Sequence, residues 1–189
     1  MYQQQSPIIL ASKSPRRQEL LKAMGLDFKV VLKDVDESYP ADLKPAEIAV
    51  YIAEKKAAAF ADLSTDTLVI TADTIVAFGQ DILGKPADRA EAIAVLKRLS
   101  ASVHQVYTGV SMSYAGKIQS FVDLTEVTFA AMTEEEIIYY VDQYQPYDKA
   151  GSYGIQEWIG LTAVEKINGS YTNVMGLPTE KLYRALAQF

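Results

Sequence analysis

The chain has 189 residues, 49% of them hydrophobic, which suffices for one sizeable domain with a proper core or for two intimately packed lobes. Its formal net charge of -6 argues against a nucleic-acid binder, which needs basic patches over many phosphates. The lack of cysteine excludes a disulfide framework, a zinc ribbon and a thiol nucleophile, and a single histidine, His104, excludes a multi-histidine metal site within one chain.

The start, residues 1–7, lacks the charged beginning and long apolar core of a signal peptide. No apolar stretch could span a bilayer, so the expected address is the cytoplasm, with no membrane partner. The run Ile8-Ile9-Leu10-Ala11 reads as a strand that stops at Ser12-Lys13-Ser14-Pro15-Arg16-Arg17 and turns into a helix reaching about Met24. Ser14 is placed to cap it, Pro15 to open it and Gly25 to end it. Arg16 and Arg17 in a first turn oppose the helix dipole. With Ser12, Ser14 and Lys13 beside them they read either as a grip on polyphosphate or as a solvated helix start. A P-loop of the Gly-rich, Lys-Ser/Thr-ended kind is absent.

A second strand follows at 28–32. The acidic loop Asp34-Val35-Asp36-Glu37 reads either as a holder for a hard cation such as Mg²⁺ or as ordinary surface. Pro45 opens a helix over about 46–61 with Ile48, Ile52, Ala53 and Ala59 on its apolar face and Lys55 and Lys56 along it. The β-branched run 67–76 is too apolar for an edge and reads as a central buried strand. Asp73 interrupts it. A carboxylate there must be hydrogen-bonded, paired, metal-bound or strained, because desolvating it alone costs several kcal/mol. Residues 77–83 read as a hairpin tip with its return strand, and Pro86 restrains Lys85. Asp88 caps a scaffold helix over 89–99. Two alternating segments, 104–112 and 118–129, flank a turn at Ala115-Gly116, with His104 expected as a hydrogen-bonding residue at the strand start. Thr133 and Glu136 form a capping box for a helix to about Tyr144. The stretch 148–156 then reads as a structured loop holding an Asp148-Lys149 pair. It ends at Gln156, whose tip carries both donor and acceptor and suits a base edge. A last strand over 163–167, a turn at Asn168-Gly169 and a C-terminal helix complete the chain.

Several separated motifs resemble the Maf family of nucleoside triphosphate pyrophosphatases: 9–17, Ala72-Asp73-Thr74, Gly84-Lys85-Pro86, Thr108-Gly109-Val110, 148–156 and 168–178. Lys13 departs from the pattern, standing where many relatives carry a small residue such as glycine. The resemblance implies a single α/β domain over 1–189 of the two-lobed Maf/ITPase-like kind, with a long mixed central β-sheet flanked by helices and a cleft between the lobes. It implies hydrolysis of a nucleoside triphosphate to the monophosphate and pyrophosphate with a divalent metal cation, Mg or Mn, and a homodimer. The string 149–156 is similar to the branch acting on dTTP and UTP, whose specificity positions fall on Arg16, Thr74 and Gln156 and whose proton acceptor falls on Asp73.

On this reading Ser12, Arg16, Arg17, Lys55 and Lys85 neutralise the triphosphate, while Asp73 with Glu37 holds the metal or activates water. Asp73→Asn is expected to lower turnover about a hundredfold while leaving stability unchanged or higher. Exposed aromatics such as Tyr139 and Tyr140 join the resemblance in pointing to a homodimer. A nucleotide-binding regulator of septum formation with little turnover is the alternative, and a housecleaning enzyme for purine triphosphates such as ITP ranks after it.

Overall fold

The computed structural model describes residues 4–189, so the first positions of the uncharged N-terminal stretch lie outside the described residues. Seven strands form one mixed sheet: β1 (Ile8–Leu10), β2 (Phe28–Val30), β3 (Leu68–Phe78), β4 (Asp81–Leu83), β5 (Val103–Tyr114), β6 (Lys117–Phe129) and β7 (Val164–Asn168). Their order is β2, β1, β3, β5, β6, β7, with β4 paired to β3. The pairs β1/β2 and β1/β3 run parallel, and β3/β4 and β6/β7 antiparallel. Helices α1 (Pro15–Ala23), α2 (Pro45–Ala58), α3 (Arg89–Leu99), α4 (Glu134–Tyr144), α5 (Trp158–Thr162), α6 (Tyr171–Met175) and α7 (Thr179–Leu186) flank it. This is the expected α/β sheet between helices.

The chain divides into two compact units. The first holds residues up to Thr74, then Thr108–Asp123 and Gly176–Phe189; the second holds Ile75–Tyr107 and Leu124–Met175. Each has its own core. In the first, Leu10 and Ile70 of the parallel pair meet Leu21 of α1, Met112 of β5 and Leu182 of α7. Leu21 lies where the helical period from Ser14 places it, and Gly25 ends α1 in the left-handed region (φ 76°).

The second unit packs Leu96 and Leu99 of α3 and Ile137 and Val141 of α4 against Val106, Val127 and Phe129 of the strands. Asp88 caps α3 by accepting from Glu91 N–H at 2.9 Å, and the Thr133/Glu136 box caps α4. Asn173 fastens α6 to the sheet: its Nδ2 donates to Val106 O (3.0 Å) and Thr125 Oγ1 (2.9 Å). One sequence expectation is corrected here. Tyr139 is 49% exposed, but Tyr140 is 0% exposed, because the helical turn that leaves one on the surface carries the next into the core.

Candidate active site

Strand β1 pairs with β3 only as far as Leu10 and Ile70, so Ser12 leaves the sheet at the carboxyl end of a parallel strand, where open α/β sheets place ligands. Pro15 occupies the first helical position, and Ser14 Oγ accepts from Arg17 N–H at 3.4 Å. Ser12 Oγ accepts from Ser14 N–H at 3.2 Å. The two arginines then part company. Arg16 is half-buried, whereas Arg17 turns inward and is 9% exposed. Its Nε donates to Gly176 O at 2.7 Å, Nη1 to Ala72 O at 2.8 Å and to Ser12 Oγ at 3.3 Å, and Nη2 to Thr74 Oγ1 at 2.9 Å. Thr74 Oγ1 in turn lies 3.0 Å from Thr108 Oγ1. Burial pulls the Arg17 pKa down from its ordinary value, and the negative charge of Asp73 opposes that pull. A guanidinium stays charged under such a shift. Arg17 is therefore an internal bracket that joins the end of β1, the middle of β3 and the start of the C-terminal segment.

On α2 the sequence dictates a different device. Gly109 of β5 has no side chain because a Cβ there would stand 2.3 Å from the Ala49 backbone, so the helix lies directly on the strand. One turn on, Thr71 Oγ1 donates to Ala53 O at 2.7 Å. The next inward position is Lys56, and its Nζ lies 2.8 Å from Asp73 Oδ1 and 2.9 Å from Glu37 Oε1. The side chains of Lys56 and Asp73 are 15% and 14% exposed, so this pair is largely desolvated. Lys55, one residue earlier, faces the acidic loop: its Nζ is 2.9 Å from Asp36 Oδ2 and donates to Ser38 O at 3.1 Å. A hydrogen bond from Ser38, then the Lys55 ammonium, holds the Asp36 carboxyl well below the usual range.

The structure thus brings Glu37 and Asp73 onto one ammonium, and Ser12 and Thr74 onto one guanidinium. Lys56 is the residue that sequence reasoning passed over. Its signal was present: it follows Ala49, Ile52 and Ala53 at seven, four and three residues, in the middle of the buried face of α2. The Lys56 pair gives Asp73 a part in the fold as well, since Asp73→Asn would leave a mostly buried ammonium with one carboxylate fewer.

Lys85 and Gln156 belong to the second unit. Both are exposed, and neither side chain makes a hydrogen bond or ion pair among the described residues. The segments that carry them are joined nearby: Gly151 N–H, in the 3₁₀ turn Ala150–Ser152, donates to Gly84 O at 3.2 Å. The expected Asp148-Lys149 pair is present at 2.7 Å. His104 is buried, shares a 2.7 Å hydrogen bond with the Tyr153 hydroxyl through Nε2, and has its pKa lowered by burial to about 4.

Among the described residues no group of three or more His, Asp or Glu side chains forms a complete metal cage. Asp73 and Glu37 nonetheless already share one cation, the Lys56 ammonium. Such a pair suits Mg²⁺, which is commonly held by one or two carboxylates together with substrate phosphates.

A family model described as Maf-like protein matches residues 7–189. A dTTP/UTP pyrophosphatase of Bacteroides fragilis is 54% identical over 96% of this chain and 95% of its own length. One from Parabacteroides distasonis is 53% identical over 96% and 95%, and one from Flavobacterium psychrophilum 51% identical over 93% and 91%. Among solved structures, a HAM1 protein from Coxiella burnetii superposes with a TM-score of 0.53 at 15% identity, covering 97% of this chain and 100% of that one. The Ham1 protein of Staphylococcus aureus gives 0.50 at 17% identity, covering 97% and 98%. These two likenesses speak to fold alone.

Proposed function

The chain belongs to the Maf family, and from that premise we propose that it hydrolyses dTTP and UTP to the nucleoside monophosphate and pyrophosphate. The observation that carries this reading is the match, at about half identity and over nearly the full length of both partners, to dTTP/UTP pyrophosphatases from several organisms.

The chemistry is attack of a water oxygen on the α-phosphorus, with cleavage of its bond to the bridging oxygen and departure of pyrophosphate. Asp73 takes the water proton at a carboxylate oxygen. Lys56 Nζ lies 2.8 Å from Asp73 Oδ1 and holds that oxygen in place until phosphate oxygens compete for the ammonium. Ser12, Arg16, Lys55 and Lys85 meet the triphosphate, and Arg17 acts beneath them by holding Ser12 and Thr74 in place. Arg16, Thr74 and Gln156 sort the nucleotide. A divalent metal cation held by Asp73 and Glu37 supplies, when bound, neutralisation of phosphate charge.

Product analysis on dTTP tests the reaction: monophosphate and pyrophosphate in equal amounts are expected, and orthophosphate with diphosphate would overturn it. The same assay with Mg²⁺, Mn²⁺ or chelator tests the metal. A panel including UTP, dCTP and ITP tests the substrate. No helix among the described residues is long and apolar enough to cross a membrane. We place the enzyme in the cytoplasm as a homodimer. Exposed Tyr139, set edge-on against Trp158 at 5.1 Å, is one apolar surface a second copy could cover. Light scattering at the monomer mass would remove the dimer.

A further inference from the structure

Gln156 sits on a surface loop of the second unit with its side chain exposed, yet the Gly154 backbone before it and the Glu157 side chain after it meet one buried hydroxyl. Tyr140 of α4 is 0% exposed, with its ring stacked on Tyr144 at 5.1 Å. Its oxygen accepts from Gly154 N–H at 2.9 Å and donates to the Glu157 carboxylate at Oε2. The other oxygen of Glu157 lies 3.2 Å from the Nζ of buried Lys149, so the loop is closed at its two ends by an ion pair. Gly154 is required there: a Cβ would stand 2.8 Å from the Glu157 carboxyl carbon and push that carboxylate off the hydroxyl. Neither Tyr140 nor Glu157 has a part in the chemistry proposed above. A phenol hydroxyl and a carboxylate brought out of water are retained only when each satisfies the other.

We propose that Tyr140 and Glu157 are specificity-positioning residues, a buried hydroxyl and a half-buried carboxylate that tie the Gly154 backbone before Gln156 to the Glu157 side chain after it and so set where its amide meets the base. This rests on the reading of Gln156 as a base reader. A loose amide contacts thymine, uracil and cytosine alike, whereas a fixed one rejects the base whose donors and acceptors fall out of place, because polar groups are then left unpaired. The hydroxyl is thus coupled to selectivity without touching substrate.

The test is the ratio of kcat/KM for dTTP to that for dCTP in Tyr140→Phe, Gln156→Ala and the double variant, with the parent enzyme as reference. Tyr140→Phe keeps the ring and removes the hydroxyl. It is expected to lower the ratio about five- to tenfold, the effect of one net hydrogen bond, with kcat on dTTP held within about twofold. In the Gln156→Ala background it should lower the ratio no further, which a general loosening of the fold would not reproduce. Should Tyr140→Phe fail to fold, Glu157→Gln, which keeps the shape and removes the charge, is read in the same way. A parental ratio in Tyr140→Phe beside a lowered one in Gln156→Ala overturns the clamp and leaves the reader standing. A parental ratio in Gln156→Ala removes the reader and the clamp with it. Equal losses from Tyr140→Phe in both backgrounds overturn the coupling.

Discussion

The two units hold polar side chains still by different balances of charge and neutral packing. The first uses charge: Arg17 gathers four oxygens, and Lys56 stands between Asp73 and Glu37. The second adds neutral groups and rings to the Lys149–Glu157 ion pair. His104, Phe129 and Tyr153 meet edge to face with centroids 4.9 to 5.3 Å apart, and the His104 to Tyr153 hydrogen bond lies inside that cluster. The difference follows from the task. On the proposed function, triphosphate and metal would call for charges that stay charged, and the first unit does anchor its ions with further ions and carbonyls. The second unit presents a neutral amide, for which a stiff loop is enough.

The charged scheme should break hardest at Arg17. Arg17→Ala leaves the carbonyls of Gly176 and Ala72 and the Thr74 hydroxyl short of a buried donor. We expect a stability loss of about 3–5 kcal/mol, the cost typical of removing one partner from a buried charged network. Urea unfolding with an unchanged m-value would measure it. A loss below about 1 kcal/mol would show that water replaces the bracket.

The neutral scheme should break with acid. Burial lowers the His104 pKa from 6.5 to about 4, so the unfolded chain binds the proton first as pH falls. The stabilisation is therefore complete above pH 6.5 and is lost as pH drops from 6.5 towards 4. The shift corresponds to about 3 kcal/mol. The carboxylates of Asp36, Asp62, Glu134 and Asp142 are all held below their ordinary values of 3.8 and 4.5, so their contribution begins to be lost only at the foot of this window and below it. Thermal melts should fall through this window in the parent protein and stay flat through it in His104→Asn.

Legibility in sequence tracks how locally each feature is encoded. The turn from β1 into α1, the Asp88 cap of α3 and the Thr133/Glu136 box are all written within a few neighbouring residues, and all stand where expected. Helices α5 and α6 are too short to show a period, and neither was legible. Asp73 stood out because a carboxylate in an apolar strand is anomalous on its own. Lys56 did not, since its partners lie 17 residues ahead on β3 and in the loop before α2. The inward turn of Arg17 depends on Gly176, 159 residues away, and no local pattern separates it from Arg16.

Asp73→Asn tests the charged scheme at its chemical end. The amide keeps the shape but can take no proton from water, and turnover of dTTP at saturation should fall about a hundredfold or more. It also leaves Lys56 with Glu37 as its remaining carboxylate, so a drop in melting temperature is expected alongside. Near-normal turnover would make Asp73 a structural partner of Lys56 and nothing more.

The smallest effect, and the sharpest contrast, lies one residue before Arg17. Arg16 stands in the first turn of α1, a turn with no acidic residue, so its charge meets the positive end of the helix dipole. It is half-buried rather than enclosed, and it lies beside Ser12 and Ser14 at the carboxyl end of β1. Arg16→Ala should cost at most about 1 kcal/mol of stability, the scale of one partly exposed polar contact, offset in part as a charge opposing the dipole leaves the helix start. On the proposed function it would remove a charge-assisted contact to the nucleotide, so KM for dTTP should rise about tenfold with little change in kcat. The neighbouring arginines then separate on two axes: Arg17→Ala moves the urea midpoint, and Arg16→Ala moves KM. If Arg16→Ala instead lowers the midpoint with KM unchanged, both arginines serve the fold. The phosphate contacts would then have to come from the lysines and the backbone of the α1 start.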